Sequence, residues 1–143
     1  MPTRILLVDD DDLIRNSLYT ILEKEGYEVL AASGGHQAVE IFRKSKPQID
    51  LLVTDYSMPG MSGVELARLC EGMRRGVKVL YVSGSWPEGD FADDLERSNR
   101  ALLTKPFRRN DLLRSIRELL LTDVHALQFL HTPLPLPAVK IGA

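Results

Sequence analysis

The side chains of this sequence that can do chemistry collect at the ends of short apolar runs. Ile5–Val8 ends in Asp9 and Asp10, and Ile49–Val53 ends in Thr54 and Asp55. Val77–Val82 leads into Ser83 and Gly84, and Ala101–Leu103 leads into Thr104 and Lys105. Three carboxylates brought within a few ångströms repel one another, and a cation among them relieves the repulsion. No His or Cys falls at these run ends, so every ligand on offer is oxygen. That donor set selects a hard ion, and Mg2+ keeping some of its waters fits it best. A carboxylate flanked by Mg2+ and an ammonium is arranged to attack phosphorus, since both cations neutralise charge on the equatorial phosphoryl oxygens. Lys105 suits that role as a compact point charge, and the Ser83 hydroxyl can donate to the same oxygens.

For these residues to meet, the surrounding elements must deliver them to one edge. Five apolar runs recur: Ile5–Val8, Tyr27–Ala31, Ile49–Val53, Val77–Val82 and Ala101–Leu103. Most are continuous rather than alternating, which suits strands buried on both faces of a parallel sheet. Helical patterns lie between them near 12–23, 35–45, 62–72 and 88–97, with a fifth from Arg109 onward. Their expected buried faces are Leu13, Leu18, Ile21 and Leu22, then Ala38, Val39 and Phe42, then Leu66, Leu69 and Cys70. Gly26, Gly34, Gly60, Gly76 and Gly84 punctuate the gaps. Repeated strand–helix alternation predicts an α/β open sheet. With right-handed crossovers all strand C-termini share one edge, where such sheets bind ligands at the reversal of strand order. Taken singly, Asp55 reads as a loop acid, Ser83 and Lys105 as surface residues, and Asp11 and Asp12 as a helix cap. Ordered occurrence at four strand ends is what turns them into a site.

Composition bounds the rest. A chain of 143 residues has room for one domain. Its 44% hydrophobic and 27% charged residues exclude disordered and fibrous classes. Eighteen basic against twenty acidic residues leave no basic stripe for nucleic acid. Cys70 is alone, so there is no disulfide framework and no CxxC motif. The apolar stretch Ile5–Val8 is too short for a signal peptide or a spanning helix, so a cytoplasmic chain with no membrane partner is expected. Residues 122–143 leave the strand–helix rhythm. Pro133, Pro135 and Pro137 alternate with Leu and favour an extended conformation. Ile116, Leu119, Leu120, Val124, Leu127 and Leu130 keep helical spacing. The tail therefore reads as either disordered or a helix extension, whose stripe would need the domain's own surface or a second copy, making a homodimer.

Four motifs stand together here: Leu7-Val8-Asp9-Asp10, Asp55-Tyr56-Ser57-Met58-Pro59-Gly60-Met61-Ser62-Gly63, Val82-Ser83-Gly84 and Lys105-Pro106-Phe107. In them the chain, over residues 4–121, resembles the receiver domain of two-component response regulators. The resemblance implies a flavodoxin-like, five-stranded parallel sheet of order 2-1-3-4-5, with two helices on one face and three on the other. It implies phosphorylation of Asp55 by a phosphohistidine on a histidine kinase or histidine phosphotransfer protein. Mg2+ would be held directly by Asp10 and Asp55, largely through water by Asp9, and by the Ser57 backbone carbonyl. Ser83, Gly84 and Lys105 would form the phosphoryl-responsive switch, and Lys105-Pro106 would be a cis peptide. Ile14, Pro59 and Phe107 would lie on the surface that docks the phosphodonor. Gly84 would spare the incoming phosphoryl group a large neighbour, and Met58-Pro59-Gly60 would turn the chain away from the nucleophile. There is one departure. Three residues before Lys105 the family often carries Tyr or Phe as a rotating reporter, and here stands Leu102. The loop Gly84–Gly89 is the expected substitute, its Trp86 either packed on the fourth helix or covering the acidic pocket.

The expected function is a non-enzymatic signalling module: a receiver at 1–121 with a tail at 122–143, acting in a phosphorelay or through a downstream protein target. No output domain fits within the tail's 22 residues. The alternative is a small Mg2+-dependent phosphatase of the haloacid-dehalogenase type, its nucleophile Asp9 drawn from Asp9-Asp10-Asp11. The usual cap of such enzymes does not fit this length. A receiver reduced to a binding module would lack a site residue, and none is missing.

Overall fold

The apolar runs become strands β1 (Arg4–Val8), β2 (Glu28–Ala32), β3 (Leu51–Thr54), β4 (Lys78–Ser83) and β5 (Arg100–Thr104). Helices α1 (Asp12–Lys24), α2 (Gly35–Lys44), α3 (Gly63–Met73), α4 (Asp90–Leu95) and α5 (Arg109–Leu121) alternate with them. The computed structural model describes residues 2–122 and a two-residue strand, β6 (Lys140–Ile141). Strand order is β2-β1-β3-β4-β5-β6. The first five strands are parallel, as expected, in the order 2-1-3-4-5. β6 adds antiparallel to β5, with Lys140 opposite Leu102 and Ile141 opposite Ala101. This sixth strand was not expected, because pairing on a free edge uses backbone groups and needs no apolar pattern.

Alternate strand residues face opposite helical layers. Leu6, Val8, Leu52, Val79, Tyr81 and Leu102 pack with residues of α2, α3 and α4. Ile5, Leu7, Leu51, Val53, Leu80 and Val82 pack with residues of α1 and α5. The expected division into three helices and two is what the sheet carries. At about 25 cal/mol per Å2 of apolar area, these two dry layers supply the main driving force for folding.

Three expectations about helices need correction. Leu13 is 80% exposed, whereas Leu18 and Leu22 are buried. It precedes Leu18 by five residues, about 140° round the helix, and so leaves the buried stripe. Leu69 is 47% exposed, about 100° round from buried Cys70. Trp86 is 78% exposed, so it is no buried ring packed on α4. α5 stops at Leu121, with Thr122 as its C-cap donating to the Leu119 carbonyl. Val124, Leu127, Leu130 and the proline run at 133–137 lie outside the described residues. Two X-Pro bonds are cis, the expected Lys105-Pro106 and the unanticipated Lys46-Pro47. Among the described residues, no helix is long and apolar enough to cross a membrane.

Candidate functional site

Val8 lies opposite Thr54 in the β1–β3 register, so the residues that follow each strand emerge side by side. This is also where strand order reverses. Asp9, Asp10 and Asp55 each place a carboxylate oxygen there, all within 4.8 Å of one another. Lys105 starts two strands away, about 10 Å at ordinary strand spacing. Its long stem closes that gap: Nζ stands 3.2 Å from Asp55 Oδ2 and 3.4 Å from Asp9 Oδ2. A shorter side chain at this position would not reach. Three carboxylates against one ammonium leave two uncompensated negative charges, which matches a divalent cation.

The three acids differ in environment. Asp9 is buried and Asp10 exposed, with Asp55 between them. Burial pushes the Asp9 carboxyl above the ordinary aspartate value, against the pull of the Asp11 amide and Lys105. Burial also works against the Lys105 ammonium, but Asp55 and Asp9 outweigh it and hold its pKa above the usual lysine value. The lysine is therefore a fixed positive charge in the neutral range. Asp11 accepts from the Leu13 and Ile14 amides at 2.9 and 3.2 Å, and Asp12 pairs with Arg15 at 2.6 Å. These two acids cap and brace α1, as the simpler reading had it.

Around Asp55 the backbone is tightly packed. The Ser57 amide donates to Asp55 Oδ1 at 3.3 Å. Gly63 donates its amide to the Tyr56 carbonyl at 2.7 Å, and a Cβ there would fall on the Asp55 carbonyl oxygen. Glycine at 63 is thus a condition for α3 to start against the loop that carries Asp55. Ser83 is fully buried at the end of β4, and its Oγ accepts the Ser85 amide at 3.0 Å. A Cβ on Gly84 would meet only the Lys105 Cβ, at 4.0 Å, so the site's own neighbours do not demand glycine.

Beside Lys105 an apolar groove of about 420 Å3 runs between α1 and the start of α5, lined by Leu13, Ile14, Ser17, Ile21, Pro106 and Phe107 among others. Ile14 and Phe107 are brought together there. Pro59 is exposed on the β3–α3 loop and does not line the groove. A cavity of about 630 Å3 at the opposite sheet edge, lined by Arg4, Asp50, Arg74 and Lys78 among others, contains none of the expected site residues.

Two features escaped sequence reading. Arg100 and Asp94 are both buried and joined at 3.0 Å, with the Tyr81 hydroxyl donating to the same carboxylate oxygen. Tyr56, next to Asp55, stacks on Phe91 and donates to Asp90 at 3.0 Å. Asp90, Asp94 and Arg100 are of types that read as surface in a linear scan, so no local signal marks these contacts.

Strand order, the acids at its reversal and the lysine facing them define a doubly wound α/β domain with an acidic, lysine-faced pocket at the switch point. The family model for the response regulator receiver domain matches residues 5–117, and the chain belongs to that family. It is 35% identical over 118 residues to the response regulator receiver protein CpdR of Brucella abortus, covering 82% of this chain and 97% of that protein. It is 33% identical over 117 residues to the sensor kinase CckA of the same organism, covering 81% of this chain but 12% of the kinase. Among solved structures, a CheY-like receiver domain protein from Methanospirillum hungatei is 32% identical, with a TM-score of 0.75, over 84% of this chain and 94% of that one.

Proposed function

We propose that Asp55 accepts a phosphoryl group from a phosphohistidine on a partner protein, assisted by Mg2+ bound among Asp9, Asp10 and Asp55. The observation that carries this is the Lys105 ammonium lodged between Asp55 and Asp9, with the third carboxylate inside the same 4.8 Å cluster. An Asp55 carboxylate oxygen attacks phosphorus in line, the P–N bond breaks, and its electron pair stays on the imidazole nitrogen. Lys105 offsets charge on the phosphoryl oxygens throughout. Asp9, Asp10, Asp55 and the Ser57 backbone carbonyl would hold Mg2+, which would supply the positive charge that offsets the remainder. Ser83 then turns its hydroxyl to donate to a phosphoryl oxygen, while its Oγ keeps accepting the Ser85 amide. Treatment with a small acyl phosphate and Mg2+ tests this: an acid-stable, base-labile phosphate on Asp55 is expected, and label on another residue refutes it.

Metal binding is expected to be weak in the unphosphorylated protein and lost in Asp10→Ala, because Asp10 and Asp55 supply the paired charge a hard ion needs. Calorimetry with Mg2+ checks this, and unchanged affinity in the variant places the ion elsewhere. The apolar groove at α1 is the surface proposed to dock the phosphodonor helix, with Ile14 and Phe107 at its floor and Pro59 on the neighbouring loop. Ile14→Ala should slow transfer from a cognate phosphohistidine about tenfold, while labelling by a small acyl phosphate stays unchanged. Equal transfer rates would exclude this surface.

Likeness to CckA supports a histidine kinase, or a phosphotransfer protein charged by one, as the partner. This reading makes the chain a signalling domain with a receiver at 1–121, acting in the cytoplasm on a downstream protein, with no role for nucleic acid. Self-association through the tail falls outside the described residues. The phosphatase alternative is not favoured, since Asp11, the second acid of its Asp-x-Asp, is committed to capping α1.

A further inference from the structure

Tyr56 carries its ring from the acceptor loop onto α4. The ring lies flat on Phe91, with centroids 4.3 Å apart and planes within 3° of parallel. Its hydroxyl donates to Oδ1 of Asp90, the first residue of α4, at 3.0 Å. Phe91 is fully buried and meets Tyr81 of β4 edge-on at 5.0 Å. The Tyr56 backbone is anchored by the Gly63 amide, so this ring is tied to the peptide of Asp55. The start of α4 has weaker holds of its own. Gly89 precedes it at φ +56°, and no side chain caps it. Leu102, in the same apolar cluster as Tyr56, Tyr81 and Phe91, offers no ring to swing.

We infer that the Tyr56–Asp90 hydrogen bond and the Tyr56–Phe91 stack clasp α4 in its unphosphorylated position, so that Tyr56 couples the chemistry at Asp55 to movement of α4. This rests on the reading of Asp55 as phosphoacceptor. When the Ser83 hydroxyl turns to donate to a phosphoryl oxygen, its Oγ keeps accepting the Ser85 amide, which it now holds at 3.0 Å. The loop from Ser85 is then drawn toward the site, and its far end is Gly89–Asp90. Moving Asp90 while Tyr56 stays anchored stretches their bond. The clasp therefore opposes the phosphorylated arrangement, and a contact and a ligand that favour opposite states are thermodynamically linked. Removing the clasp must strengthen binding of a phosphoryl mimic.

Beryllofluoride with Mg2+ is the probe, and its affinity is measured by fluorine NMR in wild type, Tyr56→Phe, Asp90→Ala and the double variant. Tyr56→Phe keeps the ring and its stack, so the fold is retained. Each single variant is expected to bind about threefold to fivefold tighter, the effect of one exposed hydrogen bond to a carboxylate. The double variant should bind no tighter than the singles, because both delete the same contact. Affinities within twofold of wild type, weakened affinities, or additive gains overturn the clasp. Failure of the underlying reading looks different: wild type then shows no saturable binding, or binding persists in Asp55→Ala.

Discussion

Asp55→Asn is expected to abolish phosphoryl acceptance. Incubated with a small acyl phosphate and Mg2+, the variant should gain no phosphoryl group by intact mass under conditions that label wild type fully. The amide is close in size to the carboxylate and keeps an oxygen for the Ser57 amide, which now donates at 3.3 Å. Fold and local backbone are therefore preserved while the nucleophile is lost. Removing one of three clustered carboxylates also relieves repulsion, so metal-free Asp55→Asn should be at least as stable as wild type. Full labelling of the variant would move the acceptor elsewhere, and label on Asp9 would revive the phosphatase reading. Loss of labelling with a lowered melting temperature would point to misfolding instead of chemistry.

The second large effect concerns stability. Arg100 is fully buried and donates to the Val77 carbonyl at 2.7 Å, to Asp94 at 3.0 Å and to Glu71 at 3.1 Å. One guanidinium on β5 thus joins α3, α4 and the residue just before β4. Asp94 is buried too, and its other neighbours are the Tyr81 hydroxyl and, at 3.3 Å, the half-exposed Arg97. Arg100→Met fills most of the volume but leaves the Asp94 charge without its buried partner. Breaking such a pair from one side costs about 3–5 kcal/mol. Urea denaturation should show that loss in the midpoint with little change in slope. Arg100→Met with Asp94→Leu should recover much of it, because an apolar replacement of both partners carries no stranded charge. A single-variant loss under about 1 kcal/mol would mean that water or Lys and Arg neighbours replace the pair.

The two predictions differ in how readable their residues were. Asp9, Asp10, Asp55, Ser83 and Lys105 were legible because each stands within two residues of the end of an apolar run, and parallel topology alone sends all run ends to one edge. The residues of the buried network gave no such sign. Asp94 sits in the acidic stretch Asp90-Phe91-Ala92-Asp93-Asp94, which reads as a solvated face, and Arg100 opens a strand as many exposed arginines do. Only the packing of α4 against β4 and β5 removes both from water. Leu13 and Leu69 failed in the opposite sense: apolar type suggested burial, and helical phase turned them outward.

What the sequence by itself determined is the order of elements, the doubly wound class, the five chemistry-bearing side chains and their shared edge. These depend on local periodicity and on handedness rules that hold for any such chain. Tertiary structure alone decided which charges are buried, how far Lys105 reaches across β4, where α4 begins and ends, and that β5 gains a partner strand at Lys140–Ile141. Those outcomes depend on contacts between residues distant in the chain. Burial, reach and edge pairing are properties of the packed arrangement, and no window of neighbouring residues contains them.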